Sequence, residues 1–242
     1  MPTILISGAA SGLGHAFLTA YSSQAYTNII AIDKEPIPTA NQSNVSVFTV
    51  DVTKEESVEA LEQQLRKQPI DLVIHSAGIR GLVPAVEAEH PNDVAACETM
   101  EVMEFATLTR TFQINAAGTF NLFRALMPNL RKAKEPKVIV MSSRMGSLGN
   151  NAAGNRAAGA AYAYRASKAA LNAIVRSFAV DVPEVSFVLC HPGRVETKLV
   201  RCKEEGAISA EESVNGLLPL IDRWGRQDSG KFYDRFGERI EW

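Results

Sequence analysis

The sequence predicts an α/β fold: a doubly wound parallel sheet with helices on both faces. Three observations predict it. Short apolar runs alternate with stretches of helical periodicity from the first residues onward. A glycine turn, Gly8-x-x-x-Gly12-x-Gly14, joins the first run to the first helix. Gly8, Asp33, Asp51 and Gly78 all fall where strands end, which is where such sheets hold their ligands. With 242 residues, 46% of them hydrophobic, one domain spanning 1–242 with a full core is expected.

Thr3-Ile4-Leu5-Ile6-Ser7 reads as a buried strand, and His15 to Tyr21 as the first turns of a helix. Glycine lets the main chain turn sharply and approach a ligand closely. A helix start offers unpaired N–H groups and the positive end of its dipole. A pyrophosphate is the expected guest. A tight turn without a ligand is the plainer alternative for this stretch alone.

Asn28 to Asp33 is a second strand, ending in an acid. An acid at that place hydrogen-bonds the adenosine ribose of a dinucleotide. A phosphate on that ribose would meet the carboxylate at about 4 Å, a repulsion worth roughly 1–4 kcal/mol. Asp33 therefore favours NAD, with NADP possible because Lys34 follows it. An ordinary strand-end turn is the competing account of Asp33.

Lys34 to Asn44 is a loop, Val45 to Val50 a third strand closed by Asp51-Val52-Thr53, and Glu55 to Lys67 a helix. Ile70 to Ile74 is a fourth strand, followed by His75-Ser76-Ala77-Gly78. Residues 79–104 read as an irregular, acidic excursion with Pro84 and Pro91. A long helix through Asn115 and Leu130 leads to a fifth strand, Lys137 to Met141. Residues 147–161 are rich in Gly, Ala and Asn and look flexible. Then come a helix from Tyr162 to Val180, a sixth strand from Ser186 to Cys190, a helix from Ala210 to Trp224 and a closing strand at Gly230 to Tyr233.

A net charge of -2 gives no basic surplus for nucleic acid, and the apolar runs are strand-length, so no membrane span is expected. Cys97, Cys190 and Cys202 lack metal spacing. They read as free thiols of a cytoplasmic protein that holds no metal.

Tyr164 and Lys168 stand four apart on a helix, hence on one face and about 6 Å apart along the axis. A neighbouring ammonium favours a phenolate and lowers a tyrosine pKa from about 10. Such a phenol can take a proton from an alcohol or give one to a carbonyl. A surface pair is the bland alternative. Ser143, or Ser142 on the opposite face of the strand end, can polarise a substrate oxygen. Asn115 interrupts an apolar helix, where it orients water or the lysine, or marks a kink or a backbone hydrogen bond.

Together these residues resemble the short-chain dehydrogenase/reductase family, and the likeness runs along nearly the whole chain. Its glycine loop appears as Ser7-Gly8-x-x-x-Gly12-x-Gly14, its Asp-Val as Asp51-Val52, and its Asn-Ala-Gly as Ser76-Ala77-Gly78. Its helix asparagine is Asn115, its serine Ser143, and its Tyr-x-x-x-Lys is Tyr164 and Lys168. Pro192-Gly193 and Thr197 match its Pro-Gly and threonine. Met141 to Ser147, Tyr162 to Lys168 and Ser229 to Phe232 narrow the likeness to the C-factor and sniffer-like carbonyl reductase branch.

The resemblance implies a Rossmann-type fold and hydride transfer between a nicotinamide cofactor and a carbonyl or secondary alcohol of a small substrate. Tyr164 is then the acid/base, Lys168 lowers its pKa, Ser143 steadies the substrate oxygen and Asn115 supports a proton relay. Cofactor contacts fall at Ser7, Gly8, Ser11, Gly12, Leu13, Gly14, Asp33, Asp51, Val52, Ser76, Ala77, Gly78, Tyr164, Lys168, Pro192, Gly193, Val195 and Thr197. Ser76 departs from the family's asparagine. A homo-oligomer, dimer or tetramer, would pair through the helices at 105–131 and 160–180. Two rival readings use the same residues: a cofactor-binding signalling or scaffold protein without turnover, and an epimerase or dehydratase.

Overall fold

The computed structural model describes residues 1–242 apart from 25, 39–41, 67 and 153–160. The expected flexibility of 147–161 therefore falls mostly outside the described residues. Seven strands among the described residues are β1 (Thr3–Ser7), β2 (Asn28–Asp33), β3 (Val45–Thr49), β4 (Leu72–His75), β5 (Lys137–Met141), β6 (Ser186–His191) and β7 (Lys231–Asp234). They form one sheet in the order β3-β2-β1-β4-β5-β6-β7, every pair parallel.

Each central strand is apolar on both faces because both faces are covered. Leu5, Ile30, Val73, Val138 and Phe187 point into one core, with Leu61, Phe123, Leu126 and Val175 from α2 (Glu55–Leu65), α5 (Gly118–Leu130) and α6 (Tyr162–Asp181). Their neighbours Ile4, Ile6, Ile29, Ile74 and Val188 point into the other, with Phe17, Leu217 and Ile221 from α1 (Gly12–Ser22) and α7 (Ala210–Arg223). This is the predicted doubly wound arrangement, with the strand alternation deciding which core each residue joins.

Local chemistry sets the helix ends. Glu55 and Glu56 sit in the first turn of α2, where the helix dipole favours acids. Ser209 caps α7, its hydroxyl accepting from the Glu212 N–H at 3.0 Å. Asn129 on α5 closes α2 from outside, donating to the Gln68 carbonyl at 2.7 Å.

Two features differ from the sequence expectation. The 79–104 excursion is not wholly irregular. It contains α3 (Pro84–Glu89), started by a proline at its first position, and a 3-10 turn at Ala96–Glu98. The long helix is not uniform either: α4 (Phe105–Phe112) passes into a π-helical turn at Gln113–Ala117 before α5. The strand order reverses between β1 and β4, which stay paired to Ser7 and His75, and the loops that follow their carboxyl ends border a crevice.

Candidate active site

That crevice is a cavity of about 630 Å³. Its walls include Ser7, Gly8, Ser11, Gly12 and Leu13 from the first loop, Asp33 after β2, and Asp51 and Val52 after β3. Ser76, Ala77 and Gly78 line it after β4, Ser142 after β5, Tyr164 and Lys168 on α6, and Pro192 and Thr197 after β6. Gly14, Asn115, Ser143, Gly193 and Val195 are not on the wall.

The glycine loop is shaped by two requirements. Gly8 has φ +72, and a Cβ there would stand 2.8 Å from the Ala77 nitrogen. Gly14 sits so close under the loop that a Cβ would overlap the Gly8 carbonyl. Gly14 therefore packs helix against strand rather than facing the cavity. Ser11 opens α1 without a side-chain cap, so the first N–H groups of the helix stay available to an anion. The Asp33 carboxylate accepts from the Ala10 N–H at 2.9 Å and the Glu35 N–H at 3.0 Å, which fixes it at the end of β2. Asp51 accepts from the Thr53 hydroxyl at 2.7 Å, and this bond, opposed by partial burial, holds its carboxyl below the usual carboxylate range.

The chemistry-bearing side chains meet at the end of β5. The Tyr164 phenol is buried and hydrogen-bonded to the Ser143 side chain. Ser143 Oγ also accepts from the Met145 N–H at 3.2 Å. The Ser142 hydroxyl donates to Asn172 Oδ1 at 2.5 Å, deep in the protein. Ser143, not Ser142, thus presents its hydroxyl to the tyrosine. Lys168 Nζ lies 5.7 Å from the centre of the Tyr164 ring and donates to the Met141 carbonyl at 2.9 Å.

One electrostatic expectation is corrected. The lysine does not bring the phenol pKa down in the protein alone. Burial raises Tyr164 above its ordinary value. The opposing influences are the Arg80 guanidinium and the Ser143 hydrogen bond. Burial itself lowers Lys168 to about 8.

Asn115 is likewise more engaged than expected. Its Oδ1 accepts from the Ile79 N–H at 2.8 Å, and its Nδ2 donates to the Ile79 carbonyl at 2.8 Å and to Ser167 Oγ at 2.9 Å. The side chain fastens the stretch after β4 to the π-helical turn and to α6, with both Nδ2 hydrogens engaged. Val195 pairs with Ile208 in an isolated bridge, and Gly193 (φ +94) makes a turn beside Arg235.

Two side chains escaped the sequence reading. His75 is buried and bridges Ser7 Oγ at 2.7 Å and Thr119 Oγ1 at 2.8 Å, and burial with the Lys168 charge drops it to about 3. Arg80 lies 4.8 Å over the Tyr164 ring and is paired with Glu98. A lone arginine in an otherwise acidic 79–104 was the available signal.

Among the described residues no group of three or more His, Cys, Asp or Glu is placed to hold a metal. No described helix is long and apolar enough to cross a membrane.

Comparison with known proteins agrees with this geometry. The family model for short chain dehydrogenases matches residues 2–207. A protein of Myxococcus xanthus named C-signal is 38% identical over 176 residues, 72% of this chain and 93% of that one. The 1-hydroxy-2-glutathionyl-2-methyl-3-butene dehydrogenase of Rhodococcus sp. (strain AD45) is 30% identical over 248 residues, all of both chains. Among solved structures, an NADPH-bound carbonyl reductase from chicken fatty liver has the same fold: TM-score 0.82, 23% identity, covering 100% of this chain and 99% of that one.

Proposed function

The chain belongs to the short-chain dehydrogenase/reductase family of oxidoreductases, and from that premise we propose that it passes a hydride between a nicotinamide dinucleotide and the carbonyl or secondary alcohol of a small organic substrate. The observation that carries this is the placing of Tyr164 and Lys168 on the wall of a cavity that the glycine loop also lines, with Ser143 beside the phenol just behind that wall. The cavity fits a dinucleotide: it is roomy at about 630 Å³, holds the uncapped start of α1 and has Asp33 anchored at its wall.

When bound, the nicotinamide supplies or accepts the hydride. The chain's own residues do the rest. Gly8, Ser11, Gly12 and Leu13 offer main-chain donors to the phosphates. Asp33 takes the adenosine ribose, and Asp51 and Val52 border the adenine. Lys168, anchored by Met141, turns its remaining N–H bonds to the cavity. The Ser143 hydroxyl and the Tyr164 phenol converge on the substrate oxygen. A phenol whose pKa is raised by burial is a neutral acid at pH 7, so the resting site is set to donate a proton to a carbonyl oxygen. Asn115 is a positioning residue that holds Ile79 and Ser167 in place.

Asp33 favours NAD(H) by like-charge repulsion of a ribose phosphate. The chicken carbonyl reductase carries NADPH, so both cofactors belong in the test. The exposed Phe105, Phe112 and Phe120 on α4 and α5 support pairing of two copies there, which light scattering measures. The relative named C-signal supports a second reading, a cofactor-binding signalling protein without turnover. A panel of carbonyl compounds, followed by loss of reduced-nicotinamide absorbance, decides between them. Turnover with at least one class supports the oxidoreductase, and cofactor binding with no turnover of any class overturns it.

A further inference from the structure

Arg80 lies against Tyr164 but has no part in the reaction assigned above. It follows Ile79 in the excursion after β4, and its side chain runs back under α6. Its guanidinium forks onto Glu98, Nε to Oε2 and Nη2 to Oε1, both at 2.8 Å. The pair is nearly sealed from solvent, 13% and 2% exposed. The third nitrogen, Nη1, meets Met145 Sδ at 3.4 Å, next to Ser143. Held on three sides, the flat cation lies 4.8 Å above the Tyr164 ring.

We propose that Arg80, locked by Glu98, is a positioning residue that presses on the Tyr164 phenol and steadies the negative charge the ring carries whenever it gives up its proton. Its catalytic meaning rests on Tyr164 being the proton carrier, as proposed above. A guanidinium over an aromatic face is attracted by the ring quadrupole, and more strongly once the ring is an anion. The bidentate clasp of Glu98 removes the freedom that an exposed arginine would have. Arg80 pulls the phenol down and Glu98 pushes it up, and it is the cation that stacks on the ring.

Among the described residues, the other groups facing the phenol are few. Ser143 bonds it from the end of β5, Glu204 acts from the 194–207 segment, and Lys168 lies one turn along α6. Arg165, the next residue on α6, is itself repelled by Arg80. Of the two described cations over the ring, Arg80 is the nearer, 4.8 Å from its centre against 5.7 Å for the Lys168 ammonium, which donates to Met141.

The test is a tyrosinate ultraviolet titration of the whole protein. Each form is measured against the same form carrying Tyr164→Phe, so that one phenol is read without any substrate. Arg80→Gln combined with Glu98→Gln removes both charges and leaves no buried ion orphaned. Its midpoint is expected to rise by about one unit or more. Glu98→Gln alone is expected to lower it, and Arg80→Lys to fall between the wild type and the double variant. The pH profile of kcat/KM for alcohol oxidation should move by the same amount. An unchanged midpoint in the folded double variant, together with no fall in Glu98→Gln, would overturn the proposal. Shifted midpoints in a protein that turns over no carbonyl or alcohol would support the Arg80 coupling and refute the dehydrogenase reading instead.

Discussion

Lys168 Nζ donates to the main-chain oxygen of Met141 at 2.9 Å, so the buried ammonium of α6 is tied to the last residue of β5. Burial has brought that ammonium down to about 8, within reach of ordinary buffers. Affinity for reduced cofactor should therefore weaken as pH rises through about 8 in the free protein. Lys168→Arg, which keeps its charge at any such pH, should flatten that dependence even if affinity falls overall. Equilibrium fluorescence titrations at pH 7 and pH 9 check both. A wild-type affinity that is level across that range speaks against the ammonium as a ligand group.

Tyr164→Phe removes one oxygen from a well-packed site and leaves the cavity otherwise intact. Turnover should fall by about 10²–10⁴-fold, the usual worth of a positioned acid or base. Cofactor affinity should stay. Steady-state rates beside binding titrations measure the two separately, and an unimpaired kcat would remove Tyr164 from the chemistry.

The two neighbouring serines should separate cleanly. Ser142→Ala leaves Asn172 without its 2.5 Å partner, so the cost appears in stability, about 1–3 kcal/mol, with turnover little changed. Ser143→Ala breaks the contact to Tyr164, so the cost appears in turnover. Denaturant melts and rates on both variants decide it. The reverse pattern would make Ser142 the reacting hydroxyl.

Replacing Asp33 by Asn removes its charge and keeps one of the two oxygens that accept from Ala10 and Glu35, so one of those two bonds is given up. The ratio of NADPH to NADH affinity should rise by roughly tenfold, equal to about 1.4 kcal/mol of relieved repulsion. If the unmodified protein already binds NADPH more tightly, repulsion by Asp33 does not set the preference.

Two buried imidazoles set the acid side of stability. Burial holds His75 at about 3 and His191 at about 4, both below the 6.5 of an unfolded histidine. Between those values the unfolded chain binds protons that the folded one does not. Stability is thus whole above about pH 7 and falls as pH drops below 6.5, by up to about 1.4 kcal/mol per unit for each group. Urea melts at pH 7.5 and 5.5 should show the loss, and His75→Gln should reduce it. Equal stability at both pH values would mean that neither imidazole is held neutral.

The inner strands were legible because each is a buried apolar run bounded by turn residues, and the edge strand β3 because Val45, Val47 and Thr49 alternate with Ser46 and Phe48 between turn residues. The glycine loop, Asp33, Tyr164 and Lys168 were legible because short spacings tie them to one element. α3 was not: it is six residues long and buries none of them, so it leaves no periodic trace. The π-helical turn differs from its neighbours only in hydrogen-bond register, which side-chain patterning does not record. Arg80 and Tyr164 meet across 84 positions (164 − 80), and no local signal announces a contact between segments so far apart.

The wide turn at Gln113–Ala117 also governs how the helical rod is clocked. One additional residue in a turn rotates everything beyond it by about 100° relative to uninterrupted winding. Leu122, Phe123, Leu126 and Leu130 reach the sheet from the rotated portion, while Asn115 sits inside the wide turn itself. Exchanging one side chain there leaves the phase untouched. Removing one residue would swing four core anchors toward water while barely altering composition, so gaps at this point carry far heavier consequences than substitutions.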